Sequence, residues 1–476
     1  MRADELTTEI AALLASGARL VVVRTDELSR GLHALRSAAE RLGTPFCAAA
    51  SFDEAAAARL LRETAGPVVL WGPDAGDWGA PLLEAVCARD HTNAVVSLQL
   101  SERVPAVLSR VARVVSLDLP TKTELAVVFR EEALAWPQAD PDAEEWAVRA
   151  LRGLGEEQAR LALRAALRRS PADGRALGQE LHKEKAAVLR GIFGLDWVEP
   201  STRLEQVGGL DGFKMWAGQW ARALEPAAEA FGIEPPRGAL LVGVQGCGKS
   251  LCAKAVAPFW GLPLARLDLP LVLGAAGAPE EALARILGVV EALAPVVVWV
   301  DELDKSFRGQ SSATASSTTR ALGLFMTWMA ERTAAVPVVA TANTVLDLPP
   351  ELLRKGRFDE LFFFDLPSRR ERLEVFRIHL SAVGRDPAAF DLERVVERSE
   401  HYSGAEIGQI VQAALREAFL EGAPLGTTHL LLALDESPPL YWTSESSIRT
   451  LREWAQGKAR PATPSDKLLE LFSKGG

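Results

Sequence analysis

"GVQGCGKS", residues 243–250, follows the apolar run ALLV and opens the helical pattern SLCAKAVAPFW. It satisfies the spacing G-x-x-x-x-G-K-[ST], in which a glycine-rich arch between a strand and a helix turns backbone N–H groups toward phosphate oxygens. Gly243, Gly246 and Gly248 permit that arch, and Gln245, Cys247 and Leu251 complete the surround expected for a nucleotide's phosphates. Lys249 supplies a fixed charge to the β- and γ-phosphates, Ser250 offers a hydroxyl to Mg²⁺, and the helix start adds its positive dipole end. The competing reading is a glycine-rich turn with a chance Lys-Ser pair. A strand pattern before the loop and a helix pattern after it argue for the phosphate loop.

A second signal stands about fifty residues downstream, where the apolar run VVVWV ends in Asp301 and Glu302. In that arrangement the first acid holds the Mg²⁺ shell and the second polarises water for in-line attack on the γ-phosphate. VPVVATAN then ends another strand at Asn343, which is either an amide that orients the attacking water or a plain strand-end turn. LPPELLRKGRFDE follows, with Arg354 and Arg357 three apart. Arginines beside a Pro-rich turn are commonly surface charge, but their place after Asn343 makes them candidate arginine fingers.

Around these motifs the chain alternates strand and helix patterns, the signature of parallel sheets flanked by helices. LVVV, FCAAA, PVVLW, AVVSL and RVVSLDL form a first series, and helical patterns occupy residues 121 to about 191. ALLVGV, LARLDL, VVVWVDE, VPVVATAN and LFFFDL form a second series, closed by helices from Arg369 to about Gly457. The two series resemble each other. PVVLW (67–71) repeats as PVVVW (295–299), and DLPTKTELAVVFR (118–130) shares seven of thirteen positions with DLPSRRERLEVFR (365–377). Duplication of one architecture explains this better than convergent strand-turn-helix chemistry. The first copy has RTDELSRG where the second has its glycine loop, and Pro73 and Asp74 where the second has Asp301 and Glu302, so it is expected to hold no nucleotide.

At 476 residues, 48% hydrophobic and 24% charged, the composition is that of a globular chain of two or three domains. A net charge of −10 and the lack of any Lys/Arg run argue against a nucleic-acid partner. No apolar run approaches a membrane span, the start MRADELTTEI is unlike a signal peptide, and four cysteines without CxxC spacing fit reduced thiols; a cytoplasmic protein is expected.

Residues 205 to about 435 resemble an AAA ATPase module of the AAA+ superfamily. VGGL, with Val207, Gly208 and Gly209, is similar to the segment whose backbone reads adenine, and YSGAEI, with Gly404 and Ala405, to the lid-helix start that closes on it. PPRGALLVGVQGCGKSLCAKAVA, VWVDELDKSF, LPPELLRKGRFDELFFFDLP and LREWA are further similar to AAA proteins of cyanobacteria and plastids, the hypothetical-chloroplast-frame class. The fold implied is α/β: a parallel-sheet P-loop NTPase module with a helical lid, preceded by a degenerate AAA-like α/β domain with its own helical cap. The domains expected are 1–120 (degenerate α/β), 121–198 (cap and linker), 199–366 (large ATPase domain), 367–457 (lid) and 458–476 (tail). The resemblance implies ATP and Mg²⁺ as cofactors, a homo-oligomer in the form of a six-membered ring, and Arg354 and Arg357 reaching a neighbour's site. It also implies work on a protein partner met through the N-terminal domain or the pore. Ala275 stands where the pore aromatic of AAA unfoldases would be, which weakens any grip on a threaded chain, and SSATASSTTR (311–320) reads as a loop. Five tryptophans, 216, 220, 260, 299 and 328, read as core or interface filler. Two functions follow: ATP hydrolysis that remodels a partner, or an ATP-gated switch or scaffold without threading.

Overall fold

The computed structural model describes the chain from Ala3 to Thr463. It leaves out scattered positions and the stretches 44–46, 49–53, 64–67, 72–79, 89–94, 100–111, 137–141, 189–193, 225–227, 275–278 and 308–314. Pro73, Asp74 and Ala275 therefore lie outside the described residues, as do positions 311–314 of the Ser/Thr-rich stretch. Positions 315–320 of that stretch, expected as loop, open the helix Ala315–Glu331. Two compact units divide the chain, Met1–Glu184 and Lys185–Gly476.

In the first unit the described strands are β1 (Leu20–Arg24), β2 (Cys47–Ala48), β3 (Val68–Trp71), β4 (Val95–Gln99) and β5 (Ala112–Ser116). They lie in the order β2-β3-β4-β1-β5 with every pairing parallel. β1 is central, and Leu20, Val21, Val22 and Val23 are all fully buried, which is why it is written without a polar residue. Helices Lys122–Glu132, Ala143–Leu151, Glu156–Arg168 and Gly174–Val188 bury a separate core around Leu125, Leu151, Leu163 and Leu181.

The second unit carries β6 (Leu195–Val198), β7 (Gly238–Gly243), β8 (Leu264–Leu267), β9 (Val297–Val300), β10 (Val338–Ala342), β11 (Glu360–Phe364) and β12 (Arg460–Pro461). Their order is β12-β11-β7-β10-β9-β8-β6, parallel throughout except for β6 against β8. The inner five repeat the permutation of the first unit, with the first strand inserted between the fourth and the fifth. Period-2 alternation sorts this sheet into two cores. Leu240, Val242, Val298, Ala340 and Phe363 face one side, and Ala239, Leu241, Trp299, Val339 and Phe362 the other. Trp216, Trp260 and Trp299 are buried in the second of these cores and Trp328 packs on the first, as filler residues should.

The sheet recruits residues on both sides of the span 199–366. β6 precedes it, and β12 arrives from beyond the lid, where the Ala462 carbonyl accepts from the N–H groups of Gly212 (2.8 Å) and Phe213 (3.2 Å). The lid core is built from helices Arg369–Ala382, Leu392–Arg398, Gly404–Leu420 and Thr427–Glu436. The following helix, Tyr441–Ala455, departs from it and sends Ile448, Leu451 and Ala455 into the two sheet cores. Arg452 anchors that helix through a two-pronged ion pair to Asp365, just past β11.

The repeated DLP segments share a physical cause. Thr121 with Glu124, and Ser368 with Glu371, each form a reciprocal capping box at the start of the helix that leaves the last strand of the inner five. Phe213 is fully buried against Trp216, Phe362 and Phe364, with ring centroids 5.4–5.9 Å apart. Phe213→Ala is expected to cost about 3–5 kcal/mol of second-unit stability by opening a cavity there, measured by urea unfolding followed by tryptophan fluorescence.

Candidate functional site

β7 ends where the backbone must pass close to its neighbour. At Gly243 (φ +149°) a Cβ would fall 2.0 Å from the Phe364 carbonyl oxygen. At Gly246 (φ +79°) it would fall 2.7 Å from Ser403 Oγ. Both positions therefore require glycine. The arch delivers the chain into the helix Lys249–Trp260, and the lid closes over it through the Ala405 N–H, which donates to the Gly246 carbonyl at 3.0 Å. Between arch and lid lies a cleft of about 420 Å³.

Lys249 is buried at the cleft floor, where its Nζ donates to the carbonyls of Gly243 and Val244 at 2.8 Å each. Burial pulls its pKa down to about 8. Burial likewise pushes the Cys247 thiol up to about 12, so that side chain packs as a small neutral group. Beside the lysine, Ser250 Oγ donates to Asp301 Oδ1 at 2.8 Å, and Thr341 Oγ1 donates to the same oxygen at 2.7 Å. The Glu302 N–H in turn donates to Thr341 Oγ1 at 2.9 Å. One carboxylate oxygen thus draws together the ends of β9 and β10 and the first turn of the loop helix.

Glu302 sits in the left-handed region at φ +49°, unusual for a side chain of its size. Asn343 Nδ2 lies 3.4 Å from its Oε1, and the Asn343 N–H donates to Asp304 Oδ1 at 3.2 Å. The donors around Ser250 and Asp301 are all oxygen, the set a hard divalent cation prefers. Among the described residues no cluster of three His, Cys, Asp or Glu could cage a metal unaided. The pair therefore fits a Mg²⁺ that arrives with phosphate oxygens and water completing its shell.

The other end of the cleft is apolar. Val207, Gly208 and Leu210 face Val375, Ile378 and His379 of the first lid helix, with Gly404 and Ala405 at the rim. Such a slot suits a flat heteroaromatic ring read by backbone groups. Of the residues singled out for ligand binding, Val207, Gly208, Gln245, Gly246, Cys247, Gly248, Lys249, Ser250, Leu251, Gly404 and Ala405 line the cleft with Asp301, Glu302 and Asn343. Gly243 lies just behind the lining and accepts from Lys249. Gly209 stands apart, its N–H donating to Glu374 Oε2 at 2.9 Å. Arg354 and Arg357 do not line it either; Arg354 is exposed, and the Arg357 guanidinium donates to the carbonyls of Met326 and Glu351.

Sequence reasoning passed over Thr341, Asp304 and the lid side chains Glu371, Val375, Ile378 and His379. Thr341 had a signal, as the polar residue in the otherwise apolar run VPVVATA. The lid residues had none of comparable strength, because their pattern is that of any amphipathic helix.

In the first unit the place after β1 is filled differently. Glu27 is buried, and its carboxylate accepts from the Glu156 N–H at 2.6 Å and from Arg30 at 3.0 Å. Burial raises its pKa above the usual carboxylate value. Arg30 continues to Glu124 at 2.9 Å and to the Asp118 carbonyl at 3.1 Å. A carboxylate thus meets the N-terminus of the helix Glu156–Arg168, much as the glycine arch meets the helix Gly404–Leu420 in the second unit.

Comparison with known proteins gives a consistent picture. Residues 239–366 match the family described as ATPase family associated with various cellular activities (AAA). The chain is 34% identical over 385 residues to the uncharacterized AAA domain-containing protein ycf46 of Guillardia theta, covering 79% of this chain and 75% of that protein. It is 35% identical over 366 residues to the protein of the same name in Trieres chinensis, covering 76% and 74% respectively. A cell division cycle protein 48 homolog of Archaeoglobus fulgidus is 32% identical over 228 residues, which are 46% of this chain and 30% of that protein.

Thr341→Val keeps the shape of the side chain and removes both of its hydroxyl hydrogen bonds. It is expected to cost about 1–3 kcal/mol of second-unit stability, whereas Thr341→Ser should stay close to the parent; urea midpoints of the two variants measure this.

Proposed function

The chain belongs to the AAA ATPase family, and on that premise we propose that its second unit binds Mg-ATP in the cleft above Lys249 and hydrolyses it. The observation that carries this reading is the placing of Ser250, Asp301 and Thr341 within 2.8 Å of one another in sequence, with Glu302 next in the chain and Asn343 at its side. The apolar slot takes the adenine, and the glycine arch and Lys249 take the phosphates. Ser250 and Asp301 hold the Mg²⁺, which when bound neutralises charge on the phosphates. Glu302 accepts the proton of the attacking water, and Asn343 orients that carboxylate.

Arg354 and Arg357 are read as fingers for a neighbouring copy, a reading supported by their absence from the lining of their own chain's cleft. The assembly proposed is a homo-oligomeric ring, six copies in keeping with the family habit, that remodels a protein partner. An ATP-gated switch or scaffold is the second reading, favoured by the alanine at position 275. Turnover stimulated by a candidate partner supports remodelling, and turnover indifferent to every partner that binds supports the switch. The first unit is proposed to be a degenerate copy that takes no nucleotide, its loop being occupied by Glu27 and Arg30. A cytoplasmic setting is part of the same proposal, supported by the free thiols of Cys87, Cys247 and Cys252. Among the described residues, no helix is long and apolar enough to cross a membrane.

Glu302→Gln is expected to bind ATP normally and to lose at least about a hundredfold in turnover, the scale of a lost general base. Parental turnover in that variant overturns the reading of Glu302. Lys249→Ala should weaken ATP binding by at least about thirtyfold, as expected for a removed charge-assisted contact, and leave no tight site in the full chain. A tight site that survives in Lys249→Ala places nucleotide in the first unit. Arg357→Ala mixed with Lys249→Ala should regain activity that neither has alone; no recovery refutes a finger acting between copies.

A further inference from the structure

The glutamate read as the general base is held on both sides. Asn343 Nδ2 stands 3.4 Å from Oε1, and Lys305 Nζ stands 2.5 Å from Oε2. The second contact follows from local backbone. Glu302 turns left-handed, and the residues after it form the short 3-10 helix Leu303–Phe307, which carries residue 305 back over residue 302. Lys305 comes from the run DELDKSF, where it is the only cation between Asp301 and Phe307. Its side chain is about half exposed at 52%, and that of Glu302 is 39% exposed.

A carboxylate that is to take a proton from water needs an oxygen lone pair facing that water. Here Oε2 is covered by an ammonium donor. We propose that Lys305 is a positioning residue that parks Glu302 at rest, so that each turnover requires the ammonium to swing into solvent before Oε2 can meet the attacking water. The proposal rests on the hydrolytic reading of the cleft given above. Lys305 is well suited to such a part: a flexible four-carbon stem with a strongly hydrated head leaves a surface pair readily. An arginine at 305 would hold the carboxylate with a two-pronged fork and release it less readily. The result is a modest brake, tied to the one carboxylate that does the chemistry.

The test is steady-state ATP hydrolysis by the full chain with Lys305→Met, Lys305→Arg, Glu302→Gln and the double variant Lys305→Met/Glu302→Gln. Lys305→Met should raise kcat by about two- to fivefold, the factor set by a pair of surface strength, with KM for ATP unchanged. Lys305→Arg should stay at or below the parental kcat, and the double variant should be as inactive as Glu302→Gln alone. A lower or unchanged kcat in Lys305→Met overturns the proposal, as does a change confined to KM, which would make Lys305 a nucleotide contact. If Glu302→Gln itself turns over at the parental rate, the hydrolytic reading fails first and separately. Thermal melting of Lys305→Met alongside the parent shows that a change in kcat is not a loss of folded protein.

Discussion

A single carboxylate oxygen, Asp301 Oδ1, organises the second unit's chemistry. Hydroxyls from Ser250 and Thr341 both donate to it, at 2.8 and 2.7 Å, and so three chain segments far apart in sequence have one meeting point. Such a contact is demanding because the carboxylate is only partly in water and its lone pairs must be matched. The strand order meets that demand. Parallel strands all point the same way, and β7, β10 and β9 are successive neighbours, so their C-terminal ends present the phosphate loop, the sensor amide and the acidic pair on one edge of the sheet.

The parts of this arrangement that were legible in the sequence are those in which a residue type has few uses. A glycine at 243 and another at 246 are imposed by contacts a Cβ would violate, and a Lys-Ser pair after them is seldom incidental. The strands were legible for a similar reason. Burial on both faces leaves continuous apolar runs such as ALLV and PVVVW, bounded by polar residues. Less visible was the route of the chain. The strands Leu195–Val198 and Arg460–Pro461 are short, and they join the sheet through backbone pairing, which no side-chain pattern announces. Nor did the pattern of the helix Tyr441–Ala455 say which core it would serve, since any amphipathic helix fits either one. Arg354 and Arg357 illustrate a different limit, because a residue that serves a neighbour cannot be judged from one chain's own cleft.

The two units show how far an architecture can be kept while its chemistry is exchanged. Their inner sheets have one strand permutation, and each last strand leads into a capped helix through the same DLP turn. Yet the second unit opens its loop with glycines, and the first fills the corresponding place with the buried Glu27, paired to Arg30 and set against a helix N-terminus. An internal carboxylate there supplies the negative charge that a helix start favours. The fold is retained without the anion that such a loop is otherwise shaped to receive.

The small strand β12 sets an order of events. Its neighbour Ala462 supplies the acceptor for the N–H groups of Gly212 and Phe213, and Thr463 donates to Glu371, which also receives the Leu210 N–H beside the adenine slot. A ribosome delivers Ala462 long after Phe213, once the lid and the helix Tyr441–Ala455 have been made. The base-binding side of the cleft is therefore the last part of the second unit to be secured, and a nascent chain would acquire its nucleotide only when translation of this unit is all but finished.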